Sequence, residues 1–361
     1  MAKCGWKGSG TAMSRCWVSG TISRMRLLFR AAAVRERSGR NVIVKAMVWT
    51  AALAGPALAQ PQPVIRVDVN LVRIVATVKT PAGELAGGLR KEDFQVSDNG
   101  APQEIAVFER QTDQPLSVAL LVDTSGSTAK DLKYETDSAA RFLKTLLGEG
   151  NPSDAVALYC FNWQVTLLHN FTHSINSLTT SLKTLHGEAG TSLYDAIYLA
   201  ARELEDREGR KVLIIVTDGG DTTSSKTLKQ ALAAVQYADA VIYPVVVIPI
   251  TNDAGRNIGG ENALTFMADG TGGRTFLPSL GAELDRAFSD IIDELRTQYL
   301  LGFYPHNVPL TKDPFHKLGV RVKRPELRVS ARNGYYGEAE GTGTPDAHIT
   351  ITPDARPKKK K

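Results

Sequence analysis

From residue 64 onward the chain alternates apolar and polar positions. In VIRVDVNLVRIVATVKT, Val67, Val69 and Leu71 share one parity, a period of two that predicts strand. FQVSDNGAPQEIAVFE follows with two strand-like runs around Asp98-Asn99-Gly100, whose Asn-Gly step suits a tight hairpin turn. Pro81-Ala82-Gly83 marks a further turn, so residues 64–110 read as all-β.

After Pro115 the pattern changes. SVALLVD is a continuously apolar strand, and a helical stretch runs to about Leu147 with Leu132, Ala139, Phe142, Leu143 and Leu146 near helical spacing. DAVALYCF and VTLLHNF predict strands, TSLYDAIYLAARELEDR an amphipathic helix, and KVLIIVTDG a buried strand. KTLKQALAAVQYA reads as helix, AVIYPVVVI as strand, ENALTFMADGTGG as a short helix closed by glycines, and SLGAELDRAFSDIIDELRTQ as a last helix. Strands apolar on both faces, alternating with helices, predict an α/β fold: a mostly parallel sheet covered on both sides. Beyond Gln298 the text is β again, in YLLGFYP, KLGVRVKRP and LRVSARNGYYG. Neither β flank has enough strands for an independent sheet, so the two together are expected to build one β-sandwich.

Charge changes the picture at the start of the chain. Of 43 Lys and Arg and 38 Asp and Glu, residues 1–59 hold ten basic residues and one acid, Glu36; the remainder carries 33 basic and 37 acidic residues. The body is mildly acidic, so the net charge of +5 does not indicate nucleic-acid binding. Lys45, the apolar stretch AMVWTAALAG and the small-x-small step Ala57-Leu58-Ala59 form a secretory signal, with Met25 as an alternative start. The stretch is too short to span a bilayer, and no Cys follows it to carry a lipid anchor. Export to the periplasm, cell surface or medium is expected, without a transmembrane anchor. Cys4 and Cys16 leave with the leader; Cys160, inside AVALYCF, is expected to be a buried, inert thiol. From Glu338 the chain is rich in Gly, Thr and Pro and ends in PKKKK, read as a solvated tail. The expected organisation is a leader over 1–59, an N-terminal β region over 60–112, an α/β domain over 113–297, completing strands over 298–337 and a basic tail over 338–361.

In open parallel sheets ligands sit beyond the carboxyl ends of strands, and Asp123 and Asp218 both stand at such ends. Asp123, Ser125 and Ser127 in DTSGS offer one carboxylate and two hydroxyls on a turn that Gly126 lets bend. These are hard oxygen donors suited to a divalent cation such as Mg²⁺. Further donors are Thr191 in GEAGTSLYDAI and Asp218 in IIVTDGG.

DTSGS, GTSLYDA and VTDGG, in this order and context, resemble the metal-ion-dependent adhesion site of von Willebrand factor type A domains, over about residues 115–297. The resemblance implies a Rossmann-like fold and Mg²⁺, with Mn²⁺ or Ca²⁺ as substitutes. Ser125 and Ser127 would ligate the ion directly, Thr191 directly or through water, and Asp123 and Asp218 mainly through water. It departs at Thr128, where methionine is common, and at Glu188-Ala189; neither change removes a ligand. Asp221 would stand behind the ligands or serve turn chemistry, and turn chemistry is the simpler reading. Few direct carboxylates leave the cation electron-poor, so the expected partner is a protein that presents an acidic side chain. LAGGLRKEDFQVSDNGAPQEIAVFE, ELRTQYLLGFYP and RVSARNGYYG resemble the bacterial, Acidobacteria-rich group of von Willebrand factor A-related proteins.

Two other function classes compete with Mg²⁺-dependent adhesion. One is a structural envelope protein whose metal only stabilises the fold. The other is a hydrolase, disfavoured because DTSGS lacks the G-x-S-x-G elbow, His169, His173 and His186 lack zinc-protease spacing, and no Gly-Lys phosphate loop is present. No enzymatic activity is expected.

Overall fold

A computed structural model describes residues 71–110, 114–248, 256–309 and 313–337. The leader over 1–59 and the tail over 338–361 lie outside the described residues. Among the described residues no helix is long and apolar enough to cross a membrane.

The α/β part is built on β5 (Leu116–Asp123), β6 (Ala155–Phe161), β7 (Val165–Thr172), β8 (Arg210–Thr217) and β9 (Ala240–Val246), in the order β7-β6-β5-β8-β9. β5 pairs in parallel with β6 and β8, and β8 with β9, while β7 is an antiparallel edge strand. Three residues separate β6 from β7, and a link that short permits only antiparallel pairing. Alternation along β5 sorts its side chains between two cores. Leu116, Val118, Leu120 and Val122 pack with α1 (Leu132–Gly148), α2 (Ile175–Leu182) and α6 (Ala282–Thr297). Ala119 and Leu121 pack with α3 (Leu193–Glu205), α4 (Leu228–Tyr237) and α5 (Ile258–Thr271). The continuous apolar runs of β5 and β8 thus reflect burial on both faces.

The flanks form two four-stranded antiparallel sheets. One has the order β12 (Arg328–Ala331), β1 (Val72–Lys79), β10 (Tyr299–Phe303), β4 (Ile105–Arg110); the other β13 (Gly334–Tyr336), β11 (Phe315–Val322), β2 (Phe94–Asp98), β3 (Ala101–Gln103). Ile74, Leu301 and Phe303 from the first sheet share one core with Phe94, Val96 and Tyr335 from the second, so both flanks build one sandwich. Asn99 and Gly100 take φ of 46° and 84° in the β2–β3 turn, the left-handed pair a two-residue hairpin requires. The second apolar run there is two strands: β3 stays beside β2, and the chain crosses at Glu104 to place β4 in the other sheet. Gln103 fixes the crossing, its amide donating to His306 O at 2.9 Å and its carbonyl accepting from His306 N at 2.9 Å.

Both connections between sandwich and α/β part lie side by side, because Arg110 at the end of β4 pairs with Tyr299 at the start of β10. Buried Gln298, between α6 and β10, donates to Thr77 Oγ1 at 3.1 Å and Tyr243 Oη at 2.7 Å. Glu294, also buried, receives Lys79 Nζ from the sandwich at 2.6 Å and Arg274 Nε from the α/β part.

Candidate metal centre

β5 ends in Asp123, which is fully buried. Its Oδ1 accepts from Ser125 N at 2.8 Å and its Oδ2 from Thr217 Oγ1 at 2.6 Å. Thr217, the last residue of β8, also accepts from Gly219 N at 3.1 Å, so its hydroxyl ties the ends of two neighbouring strands together immediately before Asp218. The chain then turns through the 123–128 loop. Thr128 Oγ1 closes it by donating to Ser125 O at 3.0 Å and Asp123 O at 3.2 Å. Within it the Ser125 and Ser127 hydroxyls lie 3.0 Å apart.

Thr191 precedes α3 on a second loop. Glu188 N donates to Thr124 O at 2.8 Å, and Ser125 and Glu188 form a bridge, so this loop lies against the first. Gly190 has φ +87°, and a Cβ there would come within 2.9 Å of Trp163 Cβ, which explains glycine before Thr191. The backbone of Thr191 is bonded to a third loop, between β8 and α4: its N donates to Thr222 Oγ1 at 2.9 Å, and its carbonyl accepts from Thr222 N at 2.8 Å and Thr223 N at 3.2 Å. Asp221 sits at the start of α3, where Oδ1 accepts from Tyr194 N at 3.2 Å and Ser224 Oγ at 2.5 Å. Asp195, on α3, accepts from Ser225 N at 2.9 Å and Lys226 N at 2.8 Å. Thr217, Thr222 and Asp195 are the residues that the sequence leaves without a role, although Thr217 and Asp195 stand inside the motifs singled out above and Thr222 lies two residues beyond the last.

Burial pushes the Asp123 carboxyl up to about 7, against the pull of its bonds to Thr217 and Ser125, and the charge of Asp218 adds to the rise. Glu135 on α1 is 1% exposed, and its Oε2 has no partner among the described residues. Burial raises it to about 8, with the charges of Asp123, Asp131 and Asp218 contributing. Negative charge is therefore crowded at this end of the sheet. Among the described residues no group of three or more His, Cys, Asp and Glu could hold a metal, so any ion here would rely on hydroxyls. That donor set suits a hard cation. Octahedral ligands at 2.0–2.1 Å from Mg²⁺ stand about 2.9 Å from their neighbours, and the serine hydroxyls at 3.0 Å match that edge.

The von Willebrand factor type A domain model matches residues 117–276. This segment is a von Willebrand factor type A domain. The chain is similar in structure to the von Willebrand factor domain of a type V pili tip protein from Porphyromonas gingivalis, at 15% identity and TM-score 0.43, covering 50% of this chain and 95% of that one. It is also similar to the PilB minor pilin of Streptococcus sanguinis, at 15% identity and TM-score 0.41, covering 52% and 62%. BatB from Bacteroides thetaiotaomicron is a third, at 20% identity and TM-score 0.40, covering 50% and 98%. No curated protein matches the chain.

Cys160, one residue before the end of β6, is half-buried rather than buried, and burial raises its thiol, which keeps it unreactive. His169, His173 and His186 each place Nδ1 against a backbone carbonyl, of Asn170, Asp154 and Thr184 respectively.

Proposed function

We propose that the protein is an exported, Mg²⁺-dependent protein-binding module that captures an acidic side chain of a partner at the carboxyl edge of its A domain. The pairing of Ser125 and Ser127 hydroxyls at 3.0 Å, beside a fully buried Asp123, carries this reading. Ser125 and Ser127 would hold the cation directly, with Thr191 completing the hydroxyl set. Asp123 and Asp218 would act mainly through water, since Asp123 already accepts one hydrogen bond on each oxygen and keeps lone pairs for ordered water. When bound, the ion supplies a Lewis-acid position that neutral hydroxyls leave electron-poor, and a carboxylate from another protein is its natural complement. A nucleophilic role for Ser125 is disfavoured: its Oγ is paired with Ser127 Oγ, and among the described residues no bond of His169, His173 or His186 reaches it.

Envelope proteins pulled down by the mature chain in Mg²⁺, with the same experiment in EDTA and with Asp123→Asn, test this reading. Capture that requires both Mg²⁺ and Asp123 supports adhesion. Capture unchanged in EDTA refutes it, and Mg²⁺-dependent stabilisation without Mg²⁺-dependent capture assigns the ion a structural role.

A further inference from the structure

At the opposite end of the A domain, the starts of β8 and β9 meet the sandwich around a cavity of about 30 Å³. Its charged walls are four cations, Arg73, Arg210, Lys211 and Arg332, and one carboxylate, Asp239. Arg210 and Arg332 are 6% and 8% exposed, so both guanidinium groups are withdrawn from water. Their known bonds are incomplete. Arg210 Nη1 donates to Leu295 O, Arg332 Nη1 pairs with Asp239, and Arg332 Nη2 donates to Arg73 O. Nε of Arg210 and Nε of Arg332 are both buried with no partner among the described residues.

Of the nearby acids only Asp239 lines the cavity. Asp154 bears on Arg210, but its Oδ1 and Oδ2 accept from Leu116 N and Asn151 N. Glu205 and Asp206 bear on Lys211, whose Nζ donates to the Glu205 carbonyl at 2.7 Å. Burial lowers the Lys211 ammonium, and repulsion by Arg73 lowers it further against the attraction of Asp239. Two buried guanidinium groups that each keep an unpartnered Nε–H are a costly arrangement unless an acceptor in the cavity completes them.

We propose that this cavity binds one small inorganic oxyanion, of the phosphate or sulfate class, between the A domain and the sandwich. A water-sized centre needs about 10–15 Å³, so the cavity takes about two waters or one compact oxyanion. Guanidinium groups match such an ion because their planar N–H forks donate to paired oxygens. The ion would bridge β8, β1 and the segment after β12, bracing the junction between the two bodies.

Isothermal titration of the full-length protein with inorganic phosphate, then sulfate, tests this. EDTA is present throughout to remove any metal-held anion, and chloride keeps the ionic strength constant. One saturable site per chain is expected for both ions. Arg73→Gln, at an exposed position, and Lys211→Met should each weaken it about tenfold or more, as loss of a charged donor does, with circular dichroism unchanged. Absence of saturable binding at millimolar anion would overturn the proposal and leave the cavity to water. Wild-type affinity in both variants would overturn it as well.

Discussion

Replacing Asp123 by Asn separates the fold from the metal. The two side chains have nearly the same shape, and Asn can keep its oxygen toward Ser125 N while its amide meets Thr217 Oγ1. That hydroxyl can accept where it formerly donated, because it already serves as acceptor for Gly219 N. The change leaves one hydroxyl hydrogen to find a new partner, at about 1 kcal/mol. Against this, Asn carries no charge into a buried site where the carboxyl is raised to about 7. Without divalent ion the variant should therefore unfold within about 1 kcal/mol of the wild type at pH 6. With Mg²⁺ at a hundredfold excess over its dissociation constant the wild type gains about 2.7 kcal/mol, and the variant should gain almost nothing. For a body of this size that is a difference of about 5–10 °C in melting temperature. Differential scanning calorimetry of both proteins, in EDTA and in a Mg²⁺ series, reads both quantities. An equal Mg²⁺-dependent rise in the two proteins would show that Asp123 takes no part in holding the ion.

Glu135→Gln addresses pH. A carboxyl raised in the folded state from 4.5 to about 8 favours the protonated native form, so its contribution to stability is complete below pH 4.5 and is lost as pH climbs through 8. Urea melts in EDTA should show the variant gaining on the wild type by several kcal/mol, on the order of 4, between pH 5 and pH 9; parallel curves would refute the burial of that charge. Gly260→Ala would place a Cβ 1.2 Å from Gly219 O, so the start of α5 or the Asp218 loop must shift. A loss of about 2 kcal/mol or more is expected, with weaker Mg²⁺ stabilisation, and unchanged melting would contradict the close approach. Glu294→Ala takes from Lys79 and Arg274 the carboxylate they share at the sandwich junction and leaves Arg274 its longer pair with Asp290. It should cost about 2 kcal/mol in chemical denaturation, as loss of charged hydrogen bonds does, while Mg²⁺ still raises the midpoint by the wild-type amount.

What was legible followed from strong local signals. β5 and β8 carry apolar residues on both faces, so their burial and the alternation with helices pointed to a covered parallel sheet, with Asp123 and Asp218 at its carboxyl edge. The pairing of the two flanks was legible because neither had strands enough alone. α2 was not, since INSLTTSL is rich in Ser and Thr, which form helix poorly. Burial of Leu178 and Leu182 and the Ser174 cap hold it instead. The break between β3 and β4 falls at Glu104, which carries no turn chemistry, and only the second sheet makes it necessary. Thr217 looks like an ordinary β-branched strand residue until β5 stands beside it. Its bond to Asp123 spans 94 positions, a separation that no local pattern encodes.

The sheet gives the molecule its polarity. Both tethers of the A domain meet the sandwich beside the first residues of β5, whereas Asp123 closes that strand. Eight residues at about 3.3 Å each put the two ends about 23 Å apart. A partner at the candidate metal edge therefore need not displace the sandwich, and the sandwich need not move for a partner to bind. The two ends also differ in kind. One crowds acids around neutral hydroxyls, and the other crowds cations around a small cavity. Between them β5 and β8 are packed on both faces, with Ala119, Leu120, Leu213 and Ile214 fully buried. At about 23 Å two unit charges interact by only about 0.7 kcal/mol at an effective dielectric of about 20, whereas a close-packed layer transmits displacement directly. Electrostatic changes at one end should thus alter ion binding at the other by about threefold at most, and stronger coupling must travel as a shift of packed strands.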